Sequence, residues 1–116
     1  MKLNRNETKA VLRQIRVSPQ KLNLVAQMIR GMKAVSALGN LLYCKKRVAI
    51  DVRKTLQSAI ANAQNNQGLN PSSLVIKEAF VGHSIRLKRF MPRGRGRSNV
   101  IRKPFSHLTI VLKAEV

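Results

Sequence analysis

Acids, aromatics and cysteine are all scarce in this sequence, and each shortage removes a class of function. Four acidic residues, Glu7, Asp51, Glu78 and Glu115, are spread over 116 positions. They are too dispersed to suggest an acid/base pair. Aromatic residues make up 3% of the chain, with no tryptophan. Sheet-based modules that stack unpaired bases want two or three aromatics on one face. Here Phe80 and Phe105 read as core, and Phe90 alone sits where a nucleotide would pack. The single cysteine, Cys44, excludes an internal disulfide and fits a reducing compartment. His83, His107 and Cys44 make no metal-ligand spacing, so neither a metal nor a cofactor is expected. No apolar run approaches the roughly 20 residues of a membrane span. The segment Met1-Lys2-Leu3-Asn4-Arg5-Asn6-Glu7 lacks an apolar signal region. A cytoplasmic location with no membrane partner is the expectation.

Positive charge is what the chain has in excess. Twenty-three Lys and Arg residues face the four acids, for a net charge of +19. Small soluble domains usually carry roughly 2 to 8. Such an imbalance points to nucleic acid. An anionic membrane fits less well, because no predicted helix is both basic on one face and richly apolar on the other.

The charge peaks between Arg86 and Pro104, which holds eight Lys or Arg residues and no acid. A strand pattern at Leu74 to Val81 leads into this stretch, and a clearer one at Phe105 to Lys113 leads out. The stretch therefore reads as a long β-hairpin with a cationic, glycine-rich end, spanning about residues 82–104. At roughly 3.3 Å per residue, arms of about 11 residues would project about 30–35 Å. A bare two-stranded ribbon is marginal in water, so this one needs a polyanion around it. Arg93-Gly94-Arg95-Gly96-Arg97 suits phosphate: arginine forks two hydrogen bonds onto its oxygens, and glycine lets the backbone come close. It is not a nucleotide loop, because Asn99 stands where a third glycine belongs and no Gly-Lys-Ser/Thr follows.

The rest of the chain reads as a helical body on a small sheet. Lys9 to Val17 predicts a strand, with Val11, Ile15 and Val17 sharing a face with Arg13. Ser18-Pro19-Gln20-Lys21 matches a Ser-x-x-Lys acyl-enzyme pattern, but its companion motifs are absent. It reads instead as a helix start, with serine as cap and proline at the first position. Leu22, Val25, Ala26 and Ile29 then form one apolar stripe, ended by Gly31. Lys21 would be a phosphate contact beside that helix start. A second helix is predicted over Lys33 to Cys44, with Ala34, Ala37, Leu38, Leu41 and Leu42 inward. A third runs from about Lys46 to Asn66, with Ala49, Val52, Leu56, Ala59, Ile60 and Ala63 inward. Residues 1–116 are expected to form one domain. Its class is α+β: three helices packed on a three-stranded antiparallel sheet with a protruding hairpin.

Three separated segments resemble the bacterial large-subunit ribosomal protein L22 family. The strongest is Lys88, four residues, Arg93-Gly94, one residue, Gly96-Arg97, nine residues, then His107-Leu108-Thr109-Ile110-Val111-Leu112. Ser18-Pro19-Gln20-Lys21-Leu22 through Ile29-Arg30-Gly31 is similar to its first helix. Ser58-Ala59-Ile60-Ala61-Asn62-Ala63 is similar to the end of its long helix. The resemblance implies a non-enzymatic structural constituent of the large ribosomal subunit that binds 23S rRNA. Its body would lie near the opening of the polypeptide exit tunnel and its hairpin would line the tunnel wall. By the same resemblance Lys88, Arg89, Arg93, Arg95 and Arg97 are tunnel-proximal rRNA contacts. Arg86, Arg102 and Lys103 hold the arms, and Arg16, Ser18 and Lys21 mark a body surface on rRNA. Neighbouring ribosomal proteins and the nascent polypeptide are the other implied partners. Asn23 departs from the family, standing where arginine is common. From the residues alone, a free-standing RNA-binding regulator remains a competing reading. An RNA-processing enzyme has no catalytic constellation here.

Overall fold

A sheet of three antiparallel strands, in the order β1-β3-β2, organises the fold. The computed structural model describes the backbone of residues 6–93 and 97–114, and the side chains of residues 6–82 and 104–114. The elements run β1 (Glu7–Ile15), α1 (Pro19–Ile29), α2 (Ala34–Leu42), α3 (Ala49–Gln67), a 3-10 turn at Pro71–Ser73, β2 (Leu74–Arg93) and β3 (Arg97–Ala114). This is the expected α+β architecture.

The helices form where capping and periodicity coincide. Ser18 is extended and its side chain accepts from the Lys21 amide, while Pro19 takes the first turn of α1. Leu22, Val25, Ala26 and Ile29 are fully buried, as their spacing required. Gly31 turns the chain out at φ +78°, a left-handed conformation costly for any residue with a Cβ. In α2, Ala34, Ala37 and Leu41 are buried but Leu42 is exposed, so the inward stripe is narrower than expected. In α3 the buried line is Ala49, Val52, Thr55, Leu56, Ala59 and Ala63. Ala61 faces away. Asn62 Nδ2 donates to the Lys9 carbonyl at 3.3 Å, fastening α3 to β1.

The core lies between one face of the sheet and the helices. Leu22, Ile29, Leu56, Leu74, Ile76, Leu108, Ile110 and Leu112 are its largest fully buried side chains. Each such burial contributes roughly 1.5–3 kcal/mol. β3 is central, paired with β1 on one side and β2 on the other. That position buries Val111 and Thr109 on its open face as well as Leu108, Ile110 and Leu112 on its core face.

Each edge strand carries irregularities that shift its pairing. In β1 the register slips between Leu12 and Ile15, where Gln14 adopts φ +56°. Two residues there oppose one on β3, a β-bulge. The bulge reverses the alternation, so Leu12 and Ile15 both pack on the core. The sequence predicted Val11 and Ile15 on one face; Val11 instead lies on the open face, 41% exposed, with Arg13. In β2 a bulge at Lys77 moves core placement from Leu74 and Ile76 to Ala79. Phe80, expected in the core, is consequently on the open face and 37% exposed.

The α1–α2 connection covers the outer edge of β2. The Gly31 amide donates to the Ile76 carbonyl at 3.1 Å, and the Ile76 amide to the Met32 carbonyl at 2.9 Å. Beyond the body, β2 and β3 continue as a ribbon paired to Arg93↔Arg97. The molecule therefore measures 66 × 31 × 19 Å with a radius of gyration of 17.2 Å. A compact chain of this length would have about 13 Å.

Candidate nucleic-acid interface

The body residues singled out in the sequence lie where β1 hands over to α1. Ser106, fully buried on β3, donates from its Oγ to the Val17 carbonyl at 2.6 Å. The Val17 amide donates back to the Ile15 carbonyl at 2.9 Å. These bonds hold the segment against the sheet and leave Arg16 exposed. Ser18 is spent on the helix cap, accepting from the Lys21 amide at 3.4 Å. Lys21 is exposed on the first turn of α1. Arg16 and Lys21 thus flank one short segment, and Ser18 positions the second of them.

Asn23 has a structural partner. Arg30 donates from Nη2 to Asn23 Oδ1 at 2.9 Å and from Nε to the Ala79 carbonyl at 2.7 Å. That pair docks α1 onto β2.

The hairpin arms are arranged by their register. Arg86 lies opposite Pro104, Leu87 opposite Lys103, Lys88 opposite Arg102, Arg89 opposite Ile101 and Arg93 opposite Arg97. A third bulge separates His83 from Arg86. It sits beside Pro104, which has no N–H to give a ladder. Register thus sets two pairs of like charges directly opposite each other, an arrangement that destabilises a sheet. Gly94, Arg95 and Gly96 lie outside the described residues.

A third cationic segment escaped the sequence reading. Lys45, Lys46 and Arg47 are consecutive and exposed in the α2–α3 connection, two residues beyond Tyr43, which is 84% exposed. Three adjacent cations beside an aromatic were visible as a run, but α2 was expected to continue over Tyr43 and Cys44. Arg13, also missed, lines a cavity of about 550 Å³ on the open face with Val11, Gln14, His107 and Thr109.

Acid is used sparingly against this charge. Lys77 Nζ reaches across β3 to Glu7 Oε1 at 2.9 Å. The hydrogen bond that Lys77 donates to Glu7, and then the Glu7 charge, hold the Lys77 ammonium above the ordinary lysine value of 10.5. Among the described residues no group of three His, Cys, Asp or Glu is placed to hold a metal. Among them, too, no helix is long and apolar enough to cross a membrane.

Residues 10–113 match the family model described as Ribosomal protein L22p/L17e. The chain is 62% identical over 111 residues to "Large ribosomal subunit protein uL22" of Methylocella silvestris, covering 96% of this chain and 87% of that one. It is 62% identical over 108 residues to the protein of that name from Bradyrhizobium sp. strain ORS 278, covering 93% and 86%. With the Beijerinckia indica subsp. indica protein of that name it shares 60% over 111 residues, covering 96% and 86%.

Proposed function

The chain belongs to the ribosomal protein L22p/L17e family, and on that premise we propose that it clamps 23S rRNA with a basic body and a basic arm. As a member it is a structural constituent of the ribosome and not an enzyme. It works in the bacterial cytoplasm as one domain, residues 1–116, with residues 82–104 as the arm. Arg16 and Lys21 hold phosphates at the body surface, with Ser18 fixing the segment between them. Arg86, Arg102 and Lys103 engage RNA along the arms. Lys88, Arg89, Arg93, Arg95 and Arg97 do so towards the tip. The body sits near the exit-tunnel opening, beside neighbouring large-subunit proteins. The hairpin lines the tunnel wall, in reach of the nascent polypeptide.

One observation carries this reading. The ribbon places Lys88 opposite Arg102 and Arg93 opposite Arg97 with no acid between residues 86 and 104. Alone, such a ribbon repels itself. Phosphates on both sides turn that repulsion into attraction, and released counterions supply the drive. Specificity then rests on RNA shape, since phosphate contacts position a protein without reading bases.

Sedimentation tests the proposal. The tagged chain is expected at one copy per large subunit. A variant lacking Lys88 to Arg97 is expected to assemble through its body. Recovery of the intact chain only in light fractions would refute the ribosomal placement and favour a free RNA-binding regulator. With purified rRNA fragments, eight engaged hairpin cations predict that log K falls with log salt at roughly −6 to −7. A slope near −2 would mean that the arm does not bind.

A further inference from the structure

A cavity of about 430 Å³ opens between the end of β1 and the start of α3. It is lined by Ile15, Arg16, Val17, Arg47, Val48 and Asp51. Ligand sites commonly occupy roughly 300–1,000 Å³. The lining divides into three chemistries. Ile15, Val17 and Val48 form an apolar wall, and all three pack on the core. Arg16 and Arg47 are exposed and cationic. Asp51, half-buried, is the acid.

Asp51 is the unexpected member. The chain carries 23 cations against four acids, and two of those cations line the same cavity as this carboxylate. Yet the Asp51 carboxylate has neither an ion pair nor a hydrogen bond among the described residues. Its backbone carbonyl, not its carboxylate, accepts from Thr55 Oγ at 3.0 Å. A place in the first turn of α3 suits an acid electrostatically. It does not require that the carboxylate stay apart from both arginines.

A ligand that satisfies this lining has an anion for the arginines, a flat apolar body and N–H donors for the carboxylate. An unpaired nucleotide has all three. Of the RNA bases only guanine presents two adjacent donors, N1–H and the N2 amine, on its Watson–Crick edge. They match the two oxygens of a carboxylate. Adenine and cytosine place an acceptor beside their amine, and uracil offers one N–H between two carbonyls. Unpaired bases are also where proteins read RNA sequence. We infer that this cavity holds an unpaired guanine nucleotide of the bound RNA. Its phosphate lies on Arg16 and Arg47, its base against Ile15, Val17 and Val48, and its Watson–Crick edge on Asp51. The inference rests on the RNA-binding reading and deepens it, adding one base-specific contact to an interface otherwise governed by shape.

The test titrates the full chain with guanosine, inosine and adenosine 5′-monophosphates, following backbone amides by NMR. Inosine lacks only the N2 amine. Guanosine monophosphate is expected to shift the amides of Arg16, Val17 and residues 47–51 and to bind about 5-fold more tightly than the other two. Asp51→Asn is expected to abolish that preference with amide dispersion intact, and Arg47→Gln to weaken all three nucleotides. Equal affinities, shifts mapping elsewhere, or a preference that survives Asp51→Asn would overturn the inference. Failure here is separable from failure of the ribosomal reading. A chain that co-sediments with large subunits but shows no guanine preference refutes only the pocket.

Discussion

Replacing Gly82 by alanine puts a methyl group where the His107 ring lies. Gly82 and His107 are register partners on β2 and β3. A Cβ built on Gly82 would collide with the imidazole at Nε2 and Cε1. Overpacking typically costs about 1–3 kcal/mol. Two features place this case at the low end. The obstacle is the far end of a side chain, not backbone, and His107 borders a cavity of about 550 Å³ into which it can turn. Opposing the clash, Gly→Ala at an ordinary φ stabilises by about 0.4–1 kcal/mol through the unfolded chain. The net expectation is a loss of about 0–1 kcal/mol, and each kcal/mol lowers Tm by about 4–8 °C in a domain of this size. The decisive comparison uses His107→Ala as background. With no ring to strike, Gly82→Ala should change sign and stabilise by about 0.4–1 kcal/mol. Urea unfolding followed by far-UV circular dichroism is the assay, as the chain has no tryptophan to report by fluorescence. The same loss in both backgrounds would refute the reasoning and place the obstacle in the backbone.

Three further outcomes follow from particular contacts. Ser106→Ala strips the Val17 carbonyl of a buried partner and should cost about 1–3 kcal/mol. Hydrogen exchange at Arg16 to Ser18 should quicken with it, and unchanged exchange would mean that another contact holds the segment. Ser18→Ala should cost only about 0.5 kcal/mol, the low end for a cap, because the capping bond is long and exposed at 3.4 Å. For Lys77, the raised pKa in the folded state means that its pairing with Glu7 stabilises fully below about pH 10.5. That contribution disappears as pH climbs through the raised value. Urea midpoints measured from pH 9 to 12 should show this alkaline loss in the parent chain and lack that component in Lys77→Met.

Much of this protein is decided locally, and those parts were readable. A serine followed by proline starts α1, and apolar residues at a helical period bury one face of it. Leu108, Ile110 and Leu112 share the core face because successive side chains of a strand alternate and no extra residue interrupts β3 between them. The charge of the arm is a property of composition alone. What could not be read depends on bulges, since one extra residue turns the following side chains to the other face. Val11 and Phe80 look like core residues by type, but the slip at Gln14 puts Ile15 on the core and leaves Val11, before it, on the open face, and the slip at Lys77 turns Phe80 to that face too. The partner of Lys77 lies 70 positions away and two strands across, a distance that no local pattern spans. The same holds for the isolation of Asp51 between two arginines: the sequence supplies the three residues, and only the packing of α3 against β1 brings them to one cavity and keeps the carboxylate apart.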